Sequence, residues 1–243
     1  MVRVAERSDV ATGVWTVTLD RPERRNAVDH DTLLALLDAQ QAVAAARAVV
    51  LTGTPPAFSA GADLTGVEDG VFADDLGRVL RGFTTVSAPV IAAIDGPAMG
   101  AGAQLVSVCD LRVATPDSVV GIPAARLGLV IDRWTIERVR AEFGAALARG
   151  MLMGADTYSG QRLYEAGAVH RLGGLDEALG WAAEIAALAP LSIGAHKVAL
   201  EADGATASAE RFESLRRTAW SSDDALEGRS AFLEKRRPVF RGR

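Results

Sequence analysis

Runs of residues that are apolar throughout, rather than alternating with polar ones, most constrain this chain: Ala48–Leu51 in AVVLTG, closed by Gly53, and VIAAI at Val90–Ile94. A strand that is hydrophobic on both faces must be covered on both, which parallel sheets achieve through their helical crossovers. The intervening sequence supplies such helices. From Asp31 the run DTLLALLDAQQAVAAA brings Leu33, Leu36, Leu37 and Val43 near one face, with Asp29 as the expected N-cap. Further helices are expected near 74–86 and 104–108, with strands at Val14–Leu19, Leu111–Ala114 and 118–122. Strands alternating with helices predict an α/β core.

Past residue 145 Ala, Leu, Glu and Arg dominate, and helices are predicted near 145–153, 159–166, 175–188, 193–200, 209–221 and 224–235, with one short strand at 168–170. The expected organisation is an α/β core over 1–185 and a helical region over 186–243. The second part is too thin to fold alone and should pack on the core or on a neighbouring subunit.

Composition narrows the function. A chain of 243 residues with 49% hydrophobic residues can bury one sizeable core, and a formal net charge of -5 is the wrong sign for coating phosphates. Nucleic acid is therefore not an expected partner. Charges interrupt every apolar stretch before it could cross a bilayer, and the opening MVRVAERSDV has no apolar signal core, so a soluble, cytoplasmic protein is expected. Three scattered histidines and the single Cys109 offer neither a disulfide nor metal-ligand spacing. Cys109, within LVSVCDL, reads as core.

Two glycine-rich loops, FSAGADL and DGPAMGAGAQL, each follow a buried strand and open a helix. Small residues allow close approach to the backbone, and the first amides of a helix have no internal partner. Two such amides converging on one oxygen would form an oxyanion hole. Other motifs fit less well. A dinucleotide fingerprint would need glycine where Leu105 stands, and a nucleophile elbow around Ser59 would need glycine at Ala57.

RPERRNAVD, FSAGADL, IDGPAMGAGAQLVSVCDLRVA and AFLEKRRPVF together, in this order and spacing, resemble the crotonase (enoyl-CoA hydratase/isomerase) family. The resemblance implies a ClpP/crotonase-like α/β spiral of ββα units, with a C-terminal helical region used for trimerisation, and a homotrimer or hexamer. It implies a coenzyme A thioester as substrate or ligand, with no tightly bound cofactor and no metal. Carried over by position, the oxyanion donors are the backbone N–H groups of Ala62 and Ala101, and CoA contacts fall on Arg24, Ala27, Ala60, Asp63 and Leu64. Phe232 and Lys235 match an aromatic and basic pair supplied to CoA from the C-terminal helix, often across a subunit boundary.

Where hydratases of that family carry two glutamates this chain has Gln104 and Ala124. A carboxamide has no useful basicity at neutral pH, so acyl-CoA binding is expected to persist while hydration is weak or absent. The pattern is most similar to actinobacterial members lacking both glutamates. Asp132 stands where dienoyl-CoA isomerases of the family have an aspartate, and it also reads as the N-cap of the helix RWTIERVRAEF. Three functions follow as alternatives: an impaired hydratase homologue of lipid metabolism that binds acyl-CoA, an isomerase or hydratase using Asp132, and a non-catalytic carrier or adaptor serving a lipid-synthesis enzyme. Val71, Phe72, Leu76, Val79, Leu80 and Phe83 could line an acyl tunnel or simply be core, and Glu137 and Glu142 are expected on a solvated face.

Overall fold

The computed structural model describes residues 1–63, 70–201 and 206–243. Its larger sheet contains β1 (Val2–Glu6), β2 (Val14–Leu19), β3 (Ala48–Gly53), β4 (Val90–Ile94), β6 (Leu111–Ala114) and β9 (Arg171–Leu172) in the order β1-β2-β3-β4-β6-β9. Every pairing in it is parallel except β1 with β2. A smaller sheet holds β5 (Pro97–Met99), β7 (Val119–Gly121) and β8 (Thr157–Ser159) in the order β5-β7-β8. The chain leaves β4 for β5 before helix α3 (Ala101–Ser107), and leaves β6 for β7 before α4 (Arg133–Phe143). Each such turn lays one strand in each sheet and then a helix, which is the expected ββα spiral.

The strands built on apolar runs are covered on both faces, as their composition requires. All six residues of β3 and all five of β4 are buried. Successive side chains of a strand point to opposite faces, and here they enter two different cores. Val49, Leu51 and Ala92 join one with Leu33 and Leu36 of α1 (His30–Ala42) and Leu80 and Phe83 of α2 (Gly70–Thr85). Val50, Ile91 and Ala93 pack against Ala178, Leu179 and Ala182 of a helix over Leu175–Ala186. Val79, Leu80 and Phe83 are thus core, with Leu76 at its margin, while Val71 is exposed. Asp29 caps α1 as expected, accepting from the Thr32 amide at 2.9 Å.

Three short strands, β1, β5 and β8, carry no apolar run and were not expected. The strand expected at 168–170 forms instead at Arg171–Leu172. The amides of Ala168 and Val169 both donate to the Leu163 carbonyl, closing the end of a preceding helix (Gly160–Glu165), so pairing with β6 starts only at His170. Glu142 also departs from expectation: it is not on a solvated face but pairs with the buried Arg112 at 2.7 Å. Arg112 must have that partner, because an unpaired guanidinium in the core would be costly. Glu137 does face solvent, beside Arg133.

In the order they follow β7, the remaining helices are α4, α5 (Ala145–Arg149), α6 (Gly160–Glu165), α7 (Leu175–Ala186), α8 (Pro190–Leu200), α9 (Thr206–Trp220) and α10 (Asp223–Glu234). Lys197 anchors α8 to the core: its buried ammonium donates to Asp110 at 2.7 Å and to the carbonyls of Ala88 and Phe83. The chain end folds back on α10, where the Asp224 carboxylate accepts from the amides of Arg241 and Gly242. Trp220, Leu226, Phe232 and Leu233 remain exposed on α9 and α10. Among the described residues no single helix is long and apolar enough to cross a membrane.

Candidate active site

The site is organised around a loop that the sequence marks with Pro22 and Asn26. After a single 3-10 turn over Pro22–Arg24 the backbone enters the left-handed region at Arg25 and Asn26 (φ 50 and 55°). Asn tolerates that conformation better than most residues. The buried Asn26 carboxamide is fully used: its Nδ2 donates to the Thr54 and Ala57 carbonyls at 2.8 and 2.7 Å, and its Oδ1 accepts from the Arg21 amide at 2.9 Å. Arg21 ties down the rest of the loop, donating to the Ala27 carbonyl at 2.8 Å and pairing with Asp29 at 2.7 Å.

Residues 59–63 run between this loop and β5. Ser59 exchanges hydrogen bonds with Pro97 and Met99 on one side, while the Ala60 amide donates to Arg25 on the other. Regular alternation would return Gly61 to the β5 side. Instead, with φ at +102°, Gly61 turns its carbonyl to the Val28 amide (2.8 Å), and the Asp63 amide then donates to Val28 (2.8 Å). Backbone groups of neighbouring strand residues face opposite ways, so the Ala62 N–H faces away from Val28.

The start of α3 lies against this turn. A Cβ built on Gly61 would stand 3.7 Å from the Ala101 nitrogen, and one built on Gly102 would stand 2.8 Å from the Ser59 Cβ. Ala101 is the first residue of α3 and its amide has no intrahelical acceptor. Among the described residues neither the Ala62 nor the Ala101 N–H donates a hydrogen bond. Two adjoining donors of this kind can both donate to one oxygen that carries negative charge.

Of the residues singled out from the sequence, the structure sets Arg24, Ala27, Ala60, Asp63 and Gln104 on or beside the segments that carry these two amides. Ala27 is half-buried in the Arg21-clamped loop, Ala60 is exposed, and Asp63 lies 4.0 Å from the exposed Arg24 guanidinium. Leu64 lies outside the described residues. Gln104 is one helical turn beyond Ala101 and 6% exposed, while Ala124 opens a 3-10 turn over Ala124–Leu127. Asp132 caps α4, accepting from the Thr135 amide at 3.2 Å and from its hydroxyl at 2.5 Å. Phe232 is 83% exposed on α10, and Lys235 ends that helix in the left-handed region. Among the described residues no group of three or more His, Cys, Asp or Glu could hold a metal ion.

Sequence reasoning passed over Arg21, Asn26 and Ser59 as positioning residues. An asparagine between a proline-led turn and a capped helix was the available signal, because such a residue satisfies stray backbone groups while adopting a left-handed conformation.

The architecture and this pair of adjoining loops define a crotonase-type fold. The chain belongs to the enoyl-CoA hydratase/isomerase family, whose model matches residues 9–243. It is 41% identical over 242 residues to a probable enoyl-CoA hydratase, echA6, of Mycobacterium leprae, covering 96% of this chain and 97% of that one. It is 32% identical over 249 residues to 2,3-dehydroadipyl-CoA hydratase of Escherichia coli, covering 95% and 96%. Among solved structures, an enoyl-CoA hydratase/carnithine racemase from Magnetospirillum magneticum superposes with a TM-score of 0.88 at 28% identity, over 100% of this chain and 96% of that one.

Proposed function

We propose that the protein binds acyl-CoA thioesters, holding the thioester oxygen on the N–H groups of Ala62 and Ala101, and that it hydrates enoyl thioesters weakly or not at all. The observation that carries this reading is the pair of amides that donate to no acceptor among the described residues, with Gln104 one helical turn from Ala101 and no carboxylate at position 104 or 124. Amides placed in advance stabilise a developing oxyanion by about 3 kcal/mol each. Hydration also needs a base for water and an acid for the α-carbon, and losing each typically costs about 10²- to 10⁴-fold. The hydratase names of relatives matched over nearly their full length support a CoA thioester as the ligand.

In this reading Arg24, Ala27, Ala60, Asp63 and Leu64 border the CoA moiety. Phe232 and Lys235 reach the CoA of a neighbouring subunit in a homotrimer or hexamer, a role supported by the exposed apolar residues of α9 and α10. Asp132 serves as a cap rather than a proton carrier, since both its oxygens are engaged by Thr135.

The test pairs two measurements on one sample: competition binding with acyl-CoAs of graded length, and hydration of a short enoyl-CoA. Saturable binding with turnover well below about 1 s⁻¹ is expected. Turnover in the ordinary enzyme range of about 1 to 10³ s⁻¹ would refute the impaired chemistry, and absence of binding would refute the whole reading.

A further inference from the structure

Gln104 is 6% exposed, yet among the described residues its side-chain amide has no hydrogen-bond partner; its backbone alone is engaged, the N–H donating to the Gly100 carbonyl and the carbonyl accepting from the Ser107 hydroxyl. Buried polar side chains are almost always partnered. Among the described residues no side-chain nitrogen or oxygen is both sealed from solvent and unpartnered. The carboxamide therefore opens onto accessible space within an otherwise buried position, where a ligand can meet it.

The helix fixes where that space is. Gln104 follows Ala101 by three residues, a rise of about 4.5 Å, and side chains of a helix lean toward its N-terminus. The Gln104 amide thus projects back over Ala101. In the acyl-CoA reading, on which this inference rests, the thioester oxygen sits at the Ala101 N–H, so Gln104 adjoins the first carbons of the acyl chain.

The chemistry of the side chain then selects among acyl groups. A carboxylate can only accept hydrogen bonds, whereas a carboxamide also donates through Nε2. The group that gains most from a carboxamide is an oxygen that only accepts. In a 3-oxoacyl thioester the two carbonyl carbons are separated by one methylene, and both oxygens can turn to the same side. Donors one helical turn apart match that arrangement. A 3-hydroxyl group can both donate and accept, so it would be read equally well by a carboxylate. We propose that Gln104 is a ligand-binding residue that donates from Nε2 to the C3 carbonyl oxygen, making 3-oxoacyl-CoA thioesters preferred over saturated acyl-CoA of the same length.

The experiment measures calorimetric affinities for octanoyl-CoA, 3-hydroxyoctanoyl-CoA and 3-oxooctanoyl-CoA on the wild-type protein, Gln104→Met and Gln104→Glu. In the wild type the 3-oxo thioester should bind about 5- to 10-fold more tightly than the saturated one, the scale of one hydrogen bond. Gln104→Met, of similar shape without polar atoms, should bring that ratio to about one. Gln104→Glu should drive it below one at neutral pH, because a carboxylate repels the ketone, while keeping any preference for the 3-hydroxy thioester. A wild-type ratio near one, tighter binding of the 3-hydroxy than of the 3-oxo thioester, or a ratio that survives in Gln104→Met would overturn the proposal. Failure of all three thioesters to bind the wild type would instead overturn the acyl-CoA reading beneath it.

Discussion

The Ser59 hydroxyl donates to the backbone carbonyl of Asn26 at 2.8 Å while accepting from the Gly61 amide at 3.2 Å. One buried oxygen thereby joins the loop after β2 to the turn that orients Ala62. Asn26 continues the connection to the Thr54 and Ala57 carbonyls, at the exit from β3. This chain of bonds holds Gly61 in the turn that directs the Ala62 N–H, and none of its members is among the residues proposed to border the ligand.

Removing members of that chain should therefore cost both stability and binding. Asn26→Ala leaves two carbonyls and an amide without partners in a buried site, with an expected loss of about 3 kcal/mol or more. Ser59→Ala removes one hydroxyl and should cost about 1 to 2 kcal/mol. Denaturant midpoints at unchanged m-value measure both losses. A cost for Asn26→Ala no greater than for an exposed loop asparagine would show that the latch is not what holds the loop.

Two glycines in helices should respond oppositely to the same change. On Gly102 an added Cβ would stand 2.8 Å from both the Cβ and the carbonyl oxygen of Ser59, whereas on Gly180, in α7, it would meet nothing within 4 Å. Gly180→Ala should stabilise by about 0.5 to 1 kcal/mol through helix propensity alone. Gly102→Ala must push α3 from the Ser59 turn and should destabilise by about 1 to 3 kcal/mol, with acyl-CoA affinity falling as the two amides separate. Thermal unfolding of the pair, with ligand titration of Gly102→Ala, checks both outcomes; full affinity in that variant would uncouple the helix start from the ligand.

Asp132 separates a cap from a proton carrier. Capping by its carboxylate predicts that Asp132→Ala loses about 1 kcal/mol while Asp132→Ser keeps most of the stability. Neither replacement should alter the binding of acyl-CoA or any residual turnover. A loss of turnover shared by Asp132→Ala, Asp132→Ser and Asp132→Asn, without matching instability, would assign the carboxylate to chemistry.

The large sheet was legible because β3 and β4 are apolar on both faces, a composition that leaves few alternatives to a covered parallel strand. Asp29 was legible as a cap because the whole signal lies within one turn. Pro97–Met99 and Thr157–Ser159 were not legible as strands, because three residues offer no periodicity and their pairing depends on where distant segments dock. Glu142 was misread for a related reason: its partner Arg112 is remote in sequence, and only the docking of α4 on α3 brings them together. At the site, the motif singled out Ala62 and Ala101, but the turn at Gly61 and the solitude of the Gln104 amide are properties of the assembled backbone.

Cys109 provides a chemical readout of that assembly. Its thiol is fully buried and donates to the Leu105 carbonyl at 3.3 Å, and burial, with the neighbouring Asp110 adding to the effect, pushes its pKa up to about 12. Only thiolates react appreciably with disulfide reagents, so the native protein should label slowly at pH 8 and stoichiometrically once unfolded. The same shift sets a sign for stability. Above the ordinary thiol pKa of 9.0 the unfolded chain loses a proton that the folded chain retains until about 12. The unfolded state then binds fewer protons, and this residue's contribution to stability falls as pH rises through that window. Cys109→Ala should remove that slope at the cost of a small cavity, so wild type and variant should converge in stability between pH 9 and 12. Rapid stoichiometric labelling of the native protein at pH 8 would mean that the segment joining α3 to β6 opens far more readily than its packing implies.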